Sequence, residues 1–337
     1  MGLGMVNPSG AFFPRIFNRL RFPFARNVSS FERGKPVSVE IYVPDDFVML
    51  NKSIKEIMSK YEKKLVISGI LRNNELIIPN GDTVIQSGDI INLMSTPKNI
   101  DEFFKNAGLF NQKIKSVFTV GGSKISVHLA RMLQEEGIDM KIIEQNETRC
   151  HEIIEVLNDN VEVVLADGTN EQILDEEGLS SYDACISLTN HDEENILVSL
   201  YAKSHNLDTI ITKINNDRLN EILNELDLKA KISPDKLTVN HILYFTRAMR
   251  AKEENTIETL IKTMNDKMEI LEFNVNESED FTNKSIKELC IKKDILLNCI
   301  IRKNKVIVPT GDVVIEGDDK IIISTTTNIK SLERILR

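Results

Sequence analysis

The sequence predicts an α/β protein in which a doubly wound parallel-sheet unit lies between two copies of a small α+β module. Three observations carry that expectation. One segment occurs twice, once in each half of the chain. The stretch between the copies alternates continuous apolar runs with amphipathic ones. A glycine-bearing turn, Val117-Phe-Thr-Val-Gly-Gly-Ser-Lys-Ile-Ser126, joins the first apolar run to the first amphipathic stretch.

The repeat is direct. Ile70-Leu-Arg-Asn-Asn-Glu-Leu-Ile-Ile-Pro-Asn-Gly-Asp-Thr-Val-Ile85 returns as Ile300-Ile-Arg-Lys-Asn-Lys-Val-Ile-Val-Pro-Thr-Gly-Asp-Val-Val-Ile315. Each copy has strand-like runs around a polar hairpin tip (Asn73-Asn74, Lys303-Asn304), then Pro-x-Gly-Asp, where Pro and Gly set a turn. Upstream, Lys52-Ser-Ile-Lys-Glu-Ile57 matches Lys284-Ser-Ile-Lys-Glu-Leu289 and reads as a short helix. Each module is therefore a strand, a helix and three or more antiparallel strands, placed at 36–98 and 267–337.

The start of the chain follows from the same repeat. Val6-Asn-Pro8 precedes the first copy as Ile232-Ser-Pro234 precedes the second. Residues 1–35 are thus expected to be the end of a first large unit, whose remainder is missing, followed by a linker helix. Phe13, Phe17 and Leu20 would form an exposed apolar stripe on that helix, in want of a partner. Arg15, Arg19, Arg21, Arg26, Arg33 and Lys35 outweigh Glu32 there, but the segment lacks the Ser enrichment of a transit peptide. The matching crossover helix of the second copy is placed at 236–266.

Between the modules, 114–235 reads by period as strands at 116–120, 139–144, 161–166, 184–188, 209–214 and near 231–232, with helices between them. One helix, expected at 125–136, puts Leu129, Ala130 and Leu133 on one face. Strands apolar on both faces and separated by helices imply a parallel sheet covered on both sides.

Gly121-Gly-Ser-Lys-Ile-Ser126 aligns with the GxGxxG phosphate loop of dinucleotide-binding (Rossmann) folds. Gly121 fits the tight turn. Ser123 stands where the backbone approaches a pyrophosphate and Ser126 where helix packs on strand; both are small enough, and their hydroxyls and the helix N-terminal amides suit a phosphate. Glu144 ends the second expected strand, about 20 residues on, where a carboxylate accepts ribose hydroxyls and repels a 2′-phosphate. A plain strand-to-helix turn explains the loop alone; the correctly spaced acid favours nucleotide binding. Ala166-Asp-Gly-Thr-Asn-Glu171 and Leu188-Thr-Asn-His-Asp-Glu-Glu-Asn195 close the same sheet edge, and both read adequately as capped first helical turns.

Composition removes other classes. Of 337 residues 41% are apolar and 28% charged, an ordinary globular balance. Aromatics at 6% with no Trp argue against stacking platforms, and a net charge of -9 argues against nucleic acid. The cysteines and histidines show no metal-ligand spacing, and no run reaches the ~18 apolar residues of a membrane span. The module after 267 has no histidine, so the general acid or base of an NAD-dependent oxidoreductase is not evident.

Taken together, V-G-G-S-K-I-S at 120–126, I-I-E-Q at 142–145, A-D-G-T-N at 166–170, S-L-T-N-H-D-E-E-N-I at 187–196 and I-S-P-D at 232–235, followed by a β-rich module, resemble the RCK (KTN) regulatory subunits of Trk and Ktr potassium-uptake systems. The likeness is greatest to the Trk subunit with tandem RCK units, and it covers the whole chain from the end of a first unit. It implies RCK-C modules at 36–98 and 267–337 and an RCK-N domain at 114–235. It also implies a non-enzymatic, cytoplasmic protein, peripheral on the inner face of the plasma membrane. Its partner would be an integral-membrane potassium transporter, gated by conformational change, and it would self-associate as a dimer or ring. The implied ligand is NAD(H), with ATP or ADP as alternatives. The binding positions carried over are Gly121, Gly122, Ser123, Lys124 and Ile125 in the loop, Glu144 for the ribose, Asp167 and Gly168, Leu188 and Thr189, and Lys213, where the family often has arginine. A scaffold subunit with a decayed nucleotide site, and further off an oxidoreductase, are the rival readings.

Overall fold

The computed structural model describes residues 16–31, 36–61, 64–109, 114–157, 161–226, 228, 230–232, 257–276, 282–329 and 331–336. Backbone contacts divide the chain into two units, residues 1–23 with 112–241 and residues 24–111 with 242–337. The expected remnant strand near Val6 and most of the expected crossover helix, 236–256, lie outside the described residues.

The first module comprises β1 (Asn27–Ser30), β2 (Val37–Tyr42), α1 (Ile54–Lys60), β3 (Val66–Arg72), β4 (Glu75–Ile77), β5 (Ile90–Ser95) and α2 (Pro97–Asn106). Its strands form one antiparallel sheet in the order β1-β2-β5-β3-β4. The α1 helix starts with a capping box: Ser53 Oγ accepts from Glu56 N, and Glu56 Oε2 accepts from Ser53 N at 2.7 Å. Asn73 and Asn74 take φ of 49° and 65°, the left-handed pair that a two-residue hairpin twisting with its strands requires. Two features extend the module beyond 36–98. The β1 strand occupies part of the stretch assigned to a linker helix, because Asn27–Ser30 completes the free edge of β2. The α2 helix, capped by Thr96 and begun at Pro97, buries Ile100, Phe103 and Phe104.

The middle of the chain runs β6 (Ser116–Val120), α3 (Lys124–Glu135), β7 (Asp139–Glu144), α4 (Glu147–Val156), β8 (Val161–Leu165), α5 (Glu171–Glu176), β9 (Ala184–Ser187), α6 (Asp192–Ser204), β10 (Thr209–Lys213), α7 (Asn220–Glu225) and β11 (Ala230–Ile232). The six strands are parallel in the order β11-β10-β9-β6-β7-β8. This is the expected doubly wound sheet, and the winding reverses between β6 and β9, the switch point where such folds hold ligands. One core packs Leu129, Ala130 and Leu133 of α3 against Val117, Ile142 and Ile186. Ile16 and Leu20 of the helical segment 16–21 are buried in that same core, with Phe17 packed against it. The expected exposed stripe is corrected: its described part is covered by the doubly wound unit, since burying one such side chain is worth ~1.5–3 kcal/mol.

The second module repeats the first: β12 (Thr259–Thr263), β13 (Met268–Asn274), β14 (Ile295–Arg302), β15 (Lys305–Ile307) and β16 (Lys320–Thr325), in the order β12-β13-β16-β14-β15. Hairpin tip and bulge recur in place, with Lys303 and Asn304 at φ 47° and 64° and register shifts at Ile67/Gly69 and Leu297/Cys299. The expected helix reaching 266 gives way to strand β12, whose Thr-Leu-Ile-Lys-Thr sequence pairs along β13. The expected helix at 284–289 is a single 3-10 turn, Ile286–Glu288. Its capping box is intact, but the chain is drawn out afterwards by the bridge between Ile291 and Leu336. The modules meet through Leu71, Met94, Met268, Cys299, Ile301 and Ile322, all buried in one cluster.

Candidate functional site

A cleft of about 630 Å³ opens at the carboxyl edge of the parallel sheet, between the loops that leave β6, β7, β8 and β9. Val120 and Gly121 form its floor. At φ +102° Gly121 passes so close to the β9 loop that an added Cβ would lie 2.8 Å from Leu188 C and Thr189 N. Only glycine meets both conditions. Next along, Gly122 donates its N–H to Glu144 Oε2 at 2.7 Å, while its carbonyl accepts from Arg149 Nε at 2.6 Å. The loop is held from both sides of one residue by β7 and α4.

The two serines at glycine positions are spent inside the loop. Ser123 Oγ accepts from Ser126 N at 3.3 Å and caps α3, and buried Ser126 donates to Gly121 O. Both hydroxyls bond within the turn, and Ser123 also lines the cleft. Ser123, Lys124 and Ile125, at the helix start, donate their amides to no protein acceptor among the described residues.

Glu144 Oε1 accepts from Asn146 N at 2.8 Å, so both carboxylate oxygens are anchored, and each keeps a further lone pair for a hydroxyl. Asp167 Oδ1 accepts from Thr169 N (2.9 Å) and Thr169 Oγ1 (2.7 Å), and these bonds hold its carboxyl below the usual carboxylate range. The cap of α5 is Asn170, as the capped-turn reading expects.

The loop after β9 is built differently from a capped turn, because His191 at the start of α6 makes no side-chain cap. Its acids and amides brace neighbouring segments. Fully buried Asn195 accepts from Thr189 N at 2.8 Å and donates to Thr189 O (3.2 Å) and Lys213 O (3.1 Å). Asp192 accepts from the amides of Asn215 (2.9 Å) and Asn216 (2.7 Å) beyond β10. Lys213 Nζ reaches Thr189 O at 3.0 Å.

Of the positions expected to bind, Gly121, Gly122, Ser123, Glu144, Asp167, Gly168, Leu188 and Thr189 line this one cleft. Lys124 lines an adjoining groove between α3 and α4 that shares Arg149 and Glu152 with the cleft, Ile125 packs toward the core, and Lys213 is buried behind the β9 loop. Asn146, Arg149 and Glu152 also line the cleft beyond the expected positions, and so does Glu194 of the 188–195 segment. Asn146 and Arg149 lie at the start of the helix following Glu144, where Asn146 caps the amide of Arg149 at 2.9 Å, but no motif in the sequence marks Arg149 or Glu152 for the cleft. Among the described residues no group of His, Cys, Asp or Glu is placed to hold a metal ion, and burial pushes the Cys185 thiol up to about 12.

A glycine-loop cleft on a doubly wound domain, in a chain that also carries two small antiparallel modules, defines a protein of the RCK type. The solved GsuK RCK domain shares this fold, with a TM-score of 0.51 at 18% identity over 97% of this chain and 69% of that one. The TrkA-N domain family matches residues 117–234, and the TrkA-C domain family matches 39–108 and 270–337. The chain belongs to the TrkA family. Among its relatives, a Trk system potassium uptake protein TrkA homolog 2 from Methanosarcina mazei is 27% identical over 99% of this chain and 73% of its own length. A TrkA homolog from Archaeoglobus fulgidus is 28% identical over 94% of this chain and 69% of its own. Both are named for potassium uptake and not for a reaction.

Proposed function

We propose that this chain is the nucleotide-sensing regulatory subunit of a Trk-type potassium-uptake system. It acts at the inner face of the plasma membrane, self-associates as a dimer or ring, and gates an integral-membrane potassium transporter. Among the described residues no helix is long and apolar enough to cross a membrane, which suits a subunit working on a separate transporter.

The observation that carries the reading is the convergence of the glycine loop, Glu144, Asp167 and Thr189 on a single cleft at the switch point. The residues present fit an adenine dinucleotide, NAD(H) first, or ATP or ADP. The amides of Ser123, Lys124 and Ile125, which meet no acceptor among the described residues, suit a diphosphate, and the lone pairs left on Glu144 suit ribose hydroxyls. The open cleft favours this reading over a scaffold with a lost site. A bound nucleotide biases gating only through unequal affinity for two arrangements of the subunit; a difference of a few kcal/mol makes a usable switch.

Calorimetric titration of NADH and ATP into the full chain and into Glu144→Ala tests it. We expect saturable binding by the wild type and about tenfold or greater weakening in the variant, equivalent to ~1.4 kcal/mol. Wild-type protein that binds neither nucleotide would overturn the reading.

A further inference from the structure

The rim of the cleft beside Glu144 contains a pair of charges that no sequence signal assigned. Arg149 is the one Lys or Arg among the residues lining the cleft, whereas Glu144, Glu152, Asp167 and Glu194 all line it; Lys124 and Arg131 line the adjoining groove, which shares Arg149 and Glu152. The Arg149 guanidinium is committed twice: Nε donates to Gly122 O at 2.6 Å, and Nη1 to Glu152 Oε2 at 2.7 Å. Nη2 meets no protein acceptor among the described residues. The side chains of Arg149 and Glu152 are 28% and 56% exposed, so the pair stands at the mouth of the cleft and not in the core.

We infer that the Arg149–Glu152 pair is a specificity determinant: it makes the cleft accept an adenine nucleotide with a free ribose 2′-hydroxyl and refuse one phosphorylated there. The inference rests on the nucleotide reading of the cleft and adds to it. A phosphate at the 2′ position carries up to two negative charges beside the Glu144 carboxylate, and it is tolerated only with a cation at hand. Arg149 is that cation, and its fork could chelate phosphate oxygens. Glu152 occupies one arm of the fork and cancels its charge, so a 2′-phosphate meets two carboxylates and a guanidinium already engaged. Glu144 alone would oppose the phosphate; Glu152 additionally removes the residue able to offset that opposition.

The test is the ratio of NADPH to NADH dissociation constants, measured by calorimetry on the full chain for wild type, Glu152→Gln and the double variant Arg149→Met/Glu152→Gln. The expected wild-type ratio is about tenfold or more in favour of NADH. Glu152→Gln should reduce it about fivefold, because the freed guanidinium turns to the phosphate. In the double variant the gain should vanish, since it depends on Arg149. If NADH binds the wild type but the ratio is the same in Glu152→Gln, or if the gain survives the loss of Arg149, this inference is overturned and the nucleotide site stands. If NADH and NADPH both fail to bind the wild type, this inference is overturned, and the nucleotide site falls with it only if ATP fails to bind as well.

Discussion

At φ +102° and 2.8 Å from the backbone of Leu188 and Thr189, any side chain at Gly121 meets two penalties at once, left-handed strain and overlap with atoms that cannot rotate away. Gly121→Ala should therefore destabilise the doubly wound unit by about 2 kcal/mol or more, read as faster hydrogen exchange in β6 and β9. Gly122 is under a different constraint: an added Cβ would meet Ile153 Cδ1 at 2.5 Å and Glu144 Oε2 at 2.8 Å. The sequence allowed Gly121 to be read as the tight-turn residue, because one glycine at a strand end is a local signal. That Ser123 and Ser126 bond within the turn was not legible, since a hydroxyl chooses its partner by distances set only when β6 and α3 are in place.

Among the elements, the segment after β9 shows how a recognisable motif can be brace and cleft wall together. Thr189 lines the cleft, while Asn195 on the first turn of α6 ties that loop to the end of β10. Asn195→Ala would leave Thr189 N–H and Lys213 C=O without this partner in a buried place, at a cost of roughly 2–4 kcal/mol. Loss of thermal stability in the variant, with protection fading first across 188–195 and 209–216, is the expected outcome. An unchanged unfolding temperature would show the bonds to be dispensable. The capped-turn reading of that segment misses a long-range contact: the Asp192 carboxylate accepts from the amides of Asn215 and Asn216, a pair remote in sequence. Spacing along the chain identified the segment without revealing which of its atoms faced which neighbour.

On the scale of the molecule, the chain interleaves its units. The small modules, separated in sequence by the whole parallel sheet, belong to one unit and share one apolar cluster. Polar contacts reinforce that pairing. Glu40 of β2, buried, accepts from Met264 N at 3.1 Å and from Thr263 Oγ1 in the other module, and from Asn27 Nδ2 at 3.2 Å in its own. Gly69 leaves room for Met268, whose Sδ would lie 2.6 Å from a Cβ there. Glu40→Ala strands a buried amide and hydroxyl, and should cost about 2–4 kcal/mol, lowering the urea midpoint of the unit that holds both modules. A midpoint equal to wild type would mean that the apolar cluster alone holds the modules together.

Within each module Arg72 grips Asp89, and Arg302 grips Asp319, through paired bonds of 2.8 Å. Both arginines fall inside the repeat that the sequence displays, yet nothing in their spacing announces their partners, which stand at the start of the neighbouring strand. The same division holds for the whole chain. Duplication, strand order by period, turn residues and the acid at the end of β7 are short-range or repeated features, so residue pattern alone determined the modules, the doubly wound class and the general position of the cleft. Tertiary structure alone decided that the first helical segment is covered, that the helix of the second module shrinks to one turn, and that Arg149 and Glu152 join the rim. Burial and hydrogen-bond satisfaction are settled by neighbours distant in sequence, and these meet only when the chain has folded.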